Sequence, residues 1–161
     1  MLTHLHIQGL AIIDALSIDF ADGFNVITGE TGAGKSILIK ALGILLGAKV
    51  QPKDVLRTGV ETGSVHATFT LSPNHRAIAV CEQLGIPLEG DGKEREVLIR
   101  RSLSAKGRSQ AWINDVPVTM AALGDVGETL IDIFAQHENH RLLDANRHTE
   151  YVDAFVADVA L

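Results

Sequence analysis

The chain has 161 residues, 46% hydrophobic and 21% charged, with a formal net charge of −6. That composition describes one well-packed globular domain and excludes a disordered or collagen-like segment. No run approaches the ~20 apolar residues that span a bilayer, so no membrane partner is expected. The opening Met1-Leu2-Thr3-His4-Leu5-His6 lacks the pattern of a signal peptide, and the single Cys81 cannot form an internal disulfide, so a cytoplasmic location is expected.

Leu5 and Ile7, then Leu16, Ile18 and Phe20, alternate with polar residues and predict two half-buried strands. Asp22-Gly23 predicts a turn, and Phe24-Asn25-Val26-Ile27-Thr28 a buried strand. Ile37 to Leu46 reads as a mostly apolar helix that Gly47 stops. Val65, Ala67, Phe69 and Leu71 alternate with His66, Thr68 and Thr70, the pattern of a strand. Ser72 is the expected N-cap of a helix with Pro73 at its first position, Cys81 in its core face and Gly85 at its end. Strands over 96–103 and 110–113 follow, with Asn114-Asp115 as a tight turn into Val116-Pro117-Val118. A short helix from about Thr119 is expected to precede a strand over 129–134. Tyr151, Val152, Phe155, Val156 and Val159 recur at helical spacing, and no breaker closes the pattern before Leu161. The expectation is a helix that continues in a longer protein, with residues 1–146 as one lobe and 147–161 as the start of that helix.

The chemistry is concentrated between the strand at 24–28 and the helix at 37–46. Gly29-Glu30-Thr31-Gly32-Ala33-Gly34-Lys35-Ser36 satisfies G-x-x-x-x-G-K-[ST] at every position. Glycines let the backbone close tightly around a phosphate. Successive amides then converge on the anion where the following helix presents its positive end. Lys35 can reach β- and γ-phosphates, and the Ser36 hydroxyl can ligate Mg²⁺. Gly29, Glu30, Thr31, Gly32, Ala33, Gly34, Lys35 and Ser36 are therefore the candidate nucleotide-binding residues, with a nucleoside triphosphate and Mg²⁺ as ligands. Antiparallel strands on both sides of such a loop point to an α/β fold in which an antiparallel layer joins a parallel core.

Charge is unevenly distributed. Lys93, Arg95, Arg100, Arg101, Lys106 and Arg108 face only Glu94 and Glu96 in the same stretch, leaving it at +4 and the remainder at −10. A phosphate-contacting surface and a solvated hairpin are both open readings of that segment. His137-Glu138-Asn139-His140 spaces its histidines one residue too closely for an H-E-x-x-H zinc site. Gly107-Arg108-Ser109 lacks the final glycine of a nucleophile elbow.

Four stretches together resemble the N-terminal head lobe of the RecN family, bacterial DNA double-strand-break repair ATPases of the SMC class. They are GETGAGKSILIKALGILLGAK, VLRTGVETGSVHATF, VLIRRSLSAKGRSQAWINDVPVT and LIDIFAQHENHRLLD, and they cover most of residues 1–150. Phe134-Ala135 stands where the family usually has His-Gly, and Asp115 where it has glycine. The resemblance implies a P-loop NTPase fold of the ABC/SMC head type, a mixed sheet with an antiparallel β subdomain, and ATP as the nucleotide. It makes Gln136 the Q-loop glutamine, a catalytic partner of Lys35 that contacts Mg²⁺ or the attacking water. Arg57 resembles the arginine that such heads place near nucleotide and DNA, and Arg100, Arg101 and Arg108 become further candidate DNA contacts. Implied partners are a C-terminal head lobe supplying the Walker B acid and base, a second head bound across ATP, and DNA. This chain shows no apolar run ending in Asp-Glu and no Ser-Gly-Gly signature, so on its own it is expected to bind ATP weakly and turn it over poorly.

Two rival readings compete. One is a self-contained nucleotide kinase or NTPase using Leu130-Ile131-Asp132 as a short strand that ends in a Walker B acid. The other is a module that uses ATP only to dimerise.

Overall fold

The computed structural model describes residues 1–29, 33–90 and 93–133. The alternating segments build seven strands, β1 (Leu2–Leu10), β2 (Ile13–Asp19), β3 (Thr62–Leu71), β4 (Glu89–Gly90), β5 (Arg95–Ser104), β6 (Ser109–Ile113) and β7 (Val116–Val118). They form one sheet in the order β2-β1-β3-β5-β6-β7, with β4 beside the start of β5. Every described pairing is antiparallel. Side chains two apart share a face. Val65, Ala67, Phe69 and Leu71 on β3, with Val97, Ile99 and Leu103 on β5, therefore point together into a core that also takes Leu5 and Ile7. Asn114 and Asp115 both hold positive φ, 46° and 61°, the geometry of a type I′ turn between β6 and β7.

Among the described residues there are four helices: α1 (Ala33–Leu45), α2 (Pro52–Val55), α3 (Arg76–Gln83) and α4 (Met120–Leu130). Leu38, Ala41, Ile44 and Leu45 form the buried stripe of α1, at helical spacing, against β3 and β5. At its end the Ala48 amide donates to the Gly43 carbonyl at 2.9 Å and the Gly47 amide to the Ile44 carbonyl at 3.2 Å. With Gly47 at φ +99° this is a Schellman closure. The helix α4 begins where expected, at Thr119, whose hydroxyl accepts from the Ala122 amide.

Several expectations are corrected. Residues 24–28 form no strand, and Phe24, Val26 and Ile27 are 92%, 65% and 46% exposed. Their hydrophobicity suits a buried strand, but no described strand lies beside them to complete a ladder. Asn25 instead folds the turn back, its side-chain amide donating to the Ala21 and Gly23 carbonyls. The helix after Ser72-Pro73 starts three residues later than read, because Ser72 closes a turn on the His75 amide and His75 Nδ1 then caps α3. Residues 129 and 130 continue α4, and 131–133 form no strand. The β-branched Thr129 suggested a strand, yet its hydroxyl bonds the Val126 carbonyl one turn back while Leu123 and Val126 bury against the core. The remainder of that segment, and the helix read over 147–161, lie outside the described residues.

The junction between α4 and the end of α1 is set by contact with the backbone. A Cβ at Gly127 would sit 2.8 Å from the Leu46 carbonyl oxygen and 3.0 Å from its Cα, whereas one at Gly124 meets nothing within 4 Å. Gly127→Ala should therefore lower stability by about 1–3 kcal/mol through overpacking. Gly124→Ala should raise it by up to about 1 kcal/mol through helix propensity. Urea unfolding of the two variants measures both signs.

Candidate nucleotide site and charged faces

The loop is contiguous with α1. Gly29 precedes it, and Gly34, Lys35 and Ser36 are exposed in the first turn, which carries no acidic side chain. Lys35 Nζ reaches back six residues to donate to the Gly29 carbonyl at 2.6 Å. A Cβ at Gly29 or Gly34 would meet nothing within 4 Å, which leaves the backbone open on that side. A helix start without acidic side chains, a cation and an exposed hydroxyl fit the oxygens of a polyphosphate and its Mg²⁺. Glu30, Thr31, Gly32 and Gln136 lie outside the described residues, as does the His137–His140 segment.

The four candidate arginines do not converge. Arg57 follows α2, its amide bonded to the Gly9 carbonyl at 2.9 Å and its guanidinium 3.6 Å from Asp14 in an exposed ion pair. Arg100 points to the sheet face away from the core, stacked 4.6 Å from the Trp112 ring and 3.5 Å from Asp115. Arg108 is exposed in the loop between β5 and β6. Arg101 is the correction: it is 3% exposed and faces inward. Its Nη1 donates to the Ile44 carbonyl at 2.6 Å and the Ala48 carbonyl at 2.8 Å, and its Nε to Ser109 Oγ at 3.0 Å. A guanidinium so placed is withdrawn from any external phosphate. Burial pushes its pKa below the ordinary arginine value. The signal was present in the sequence, since Arg101 falls in the same alternation as Val97, Ile99 and Leu103.

Asp132 follows the C-cap of α4, Ile131, and stands at the end of no described strand, so the Walker B geometry of the kinase reading is not formed. Cys81 is buried in α3, and burial pushes its thiol up to about 11, which keeps it protonated and unreactive near neutral pH. Among the described residues no cluster of His, Cys, Asp and Glu could hold a metal, and no helix is long and apolar enough to cross a membrane.

Comparison with known proteins gives a consistent picture. Residues 4–148 match a family model described as an AAA domain. The chain is 41% identical to the DNA repair protein RecN of Halalkalibacterium halodurans over 96% of its own length and 26% of that protein's. It is 40% identical to the RecN of Haemophilus influenzae over 98% of its length and 28% of the relative's. The chain thus spans about a quarter of the curated relatives it matches. A structure from work on ATP-driven dimerization and DNA-stimulated activation of SMC ATPases superposes with a TM-score of 0.63, covering 94% of this chain and 97% of that one at 22% identity. That likeness shows a fold shared with the SMC ATPase of that work and with the recombination mediator RecF.

Two histidines give the domain an acid response. His66 packs edge-on to His6 at 5.7 Å. Its pKa is lowered by burial first, then by His6 and Arg100. His75 is likewise lowered, mainly by burial. The native state favours both neutral forms, so their contribution to stability is present above the unfolded value of about 6.5 and is lost as pH falls through the lower folded values. The urea midpoint should therefore drop between about pH 7 and about pH 5, and the double variant His66→Gln/His75→Asn should flatten that drop. An unchanged slope in the double variant would refute the assignment.

Proposed function

The chain belongs to the AAA domain family, and from that premise we propose that it is the ATP-binding N-terminal lobe of a head in a RecN-like, SMC-class DNA repair ATPase. The observation that carries this reading is the Lys35 ammonium bonded back to the Gly29 carbonyl in the first turn of a helix that starts without acidic side chains. Lys35 and the loop amides hold the β- and γ-phosphates. Ser36, with Gln136, holds Mg²⁺, which when bound offsets the charge on the phosphate oxygens.

The remaining catalytic groups come from elsewhere in the protein. A C-terminal lobe supplies the Walker B acid and base, and a second head closes over ATP to complete the site. The exposed Phe24, Val26 and Ile27 support this, because a parallel strand of the head core covers such side chains once its neighbours are present. Nucleotide binding then joins two heads and hydrolysis parts them, a cycle that acts on DNA in the bacterial cytoplasm. Arg57, Arg100 and Arg108 remain the candidate DNA contacts.

Mg-ATP at about 100 times its dissociation constant should stabilise the intact protein by about 2.7 kcal/mol and the Lys35→Ala variant far less. Equal stabilisation of both, read by thermal denaturation, would sink the assignment. Hydrolysis should be slow for residues 1–161 alone and rise when the C-terminal lobe is added. Equal rates would favour a self-contained enzyme.

A further inference from the structure

The inward arginine joins three elements that the nucleotide reading treats separately. Arg101 stands on β5 and donates to the end of α1 through the Ile44 and Ala48 carbonyls and to β6 through Ser109. Ser109 Oγ lies 3.8 Å from the sulfur of Met120, the first residue of α4. On its other side, the α1 terminus meets the glycine face of α4, with Gly47 against Gly124 and Leu46 against Gly127. One guanidinium therefore fixes where α1 ends relative to the sheet and to the helix that leads toward residue 136.

Stability alone does not account for this. The end of α1 is already closed by its own Gly47 and Ala48 amides, so the Ile44 carbonyl has a donor without Arg101. A buried cation bonded to neutral oxygens is costly, and a well-packed apolar side chain commonly serves stability as well or better. What the planar fork adds is direction: three oxygens on α1 and β6 are held at fixed angles, and the negative end of the α1 dipole is the counter-charge. Ile44 lies about 16 Å along the axis from the first residue of α1, so a small tilt at this end displaces the loop amides at the other.

We propose that Arg101 is a positioning residue for nucleotide binding, orienting α1 so that the amides at its opposite end, together with Lys35, meet the phosphates. This rests on the phosphate-loop reading above. The test is a titration of the intact protein with Mg-ATP well below the melting temperature, on Arg101→Lys, Arg101→Met and Ser109→Ala. Phe69→Leu serves as a core control that lowers the melting temperature while keeping every hydrogen bond of this joint. Arg101→Met and Arg101→Lys should weaken Mg-ATP by about tenfold, the factor carried by one charged hydrogen bond, since a lysine keeps the charge but cannot span the three oxygens. Ser109→Ala, which leaves the cation and its carbonyls in place, should weaken it by a smaller factor and gives the reading if the arginine variants do not fold. Phe69→Leu should leave affinity within about twofold. Wild-type affinity in all three joint variants, or an equal loss in Phe69→Leu, overturns the proposal. Failure of the wild type itself to bind Mg-ATP overturns the phosphate-loop reading instead.

Discussion

The two ends of one helix organise this domain. An α-helix leaves donors unsatisfied at its start and acceptors at its end. In α1 the end is held by protein donors: the Gly43 and Ile44 carbonyls accept from the Ala48 and Gly47 amides, and Ile44 also accepts from Arg101. Gly47 permits the closure because only a residue tolerant of φ near +99° can turn the chain there, and a side chain would also strike the Gly124 backbone at 3.0 Å. The antiparallel sheet gives the helix a surface to lie on, so the sheet and the α1 stripe together form a mount for this helix.

Much of that mount is legible in the sequence because its strands are solvated on one face. Alternation over Val65–Leu71 and 96–103 locates β3 and β5, and Asn114-Asp115 marks the turn after β6. The phosphate loop is legible for a different reason, since each position answers to a separate steric or electrostatic demand. Residues 24–28 and the described part of 129–134 depart from the strands expected of them for one common reason. Apolar and β-branched content says that a segment wants burial, but whether it becomes a strand depends on which neighbours are present. Thr129 found its partner one helical turn back at Val126, whereas Phe24, Val26 and Ile27 found none among the described residues.

The basic segment shows how a charge count loses information when its residues occupy a strand. Arg100 and Arg101 are adjacent in sequence and lie on opposite faces of the sheet. Arg100 shares its face with Trp112 and Asp115, while Arg101 shares its own with Val97, Ile99 and Leu103. A net charge of +4 over 93–108 therefore never forms one surface. Period-two geometry divides it, and the hairpin tip with Lys106 and Arg108 is separated again by the length of β5.

That division explains why the inward arginine matters more than its exposed neighbours for the nucleotide loop. Upstream of the loop, residues 24–28 contribute no ladder hydrogen bonds to the described sheet. Downstream, α1 is held by its buried stripe on β3 and β5, which restrains the separation of helix and sheet but resists sliding and rotation only weakly, because apolar contact is not directional. Directional restraint comes from hydrogen bonds, and those at the far end of the helix are the two from Arg101 to Ile44 and Ala48. Under the proposal above, the aim of the loop amides falls to the α1 flank, and there to a cation anchored between two strands.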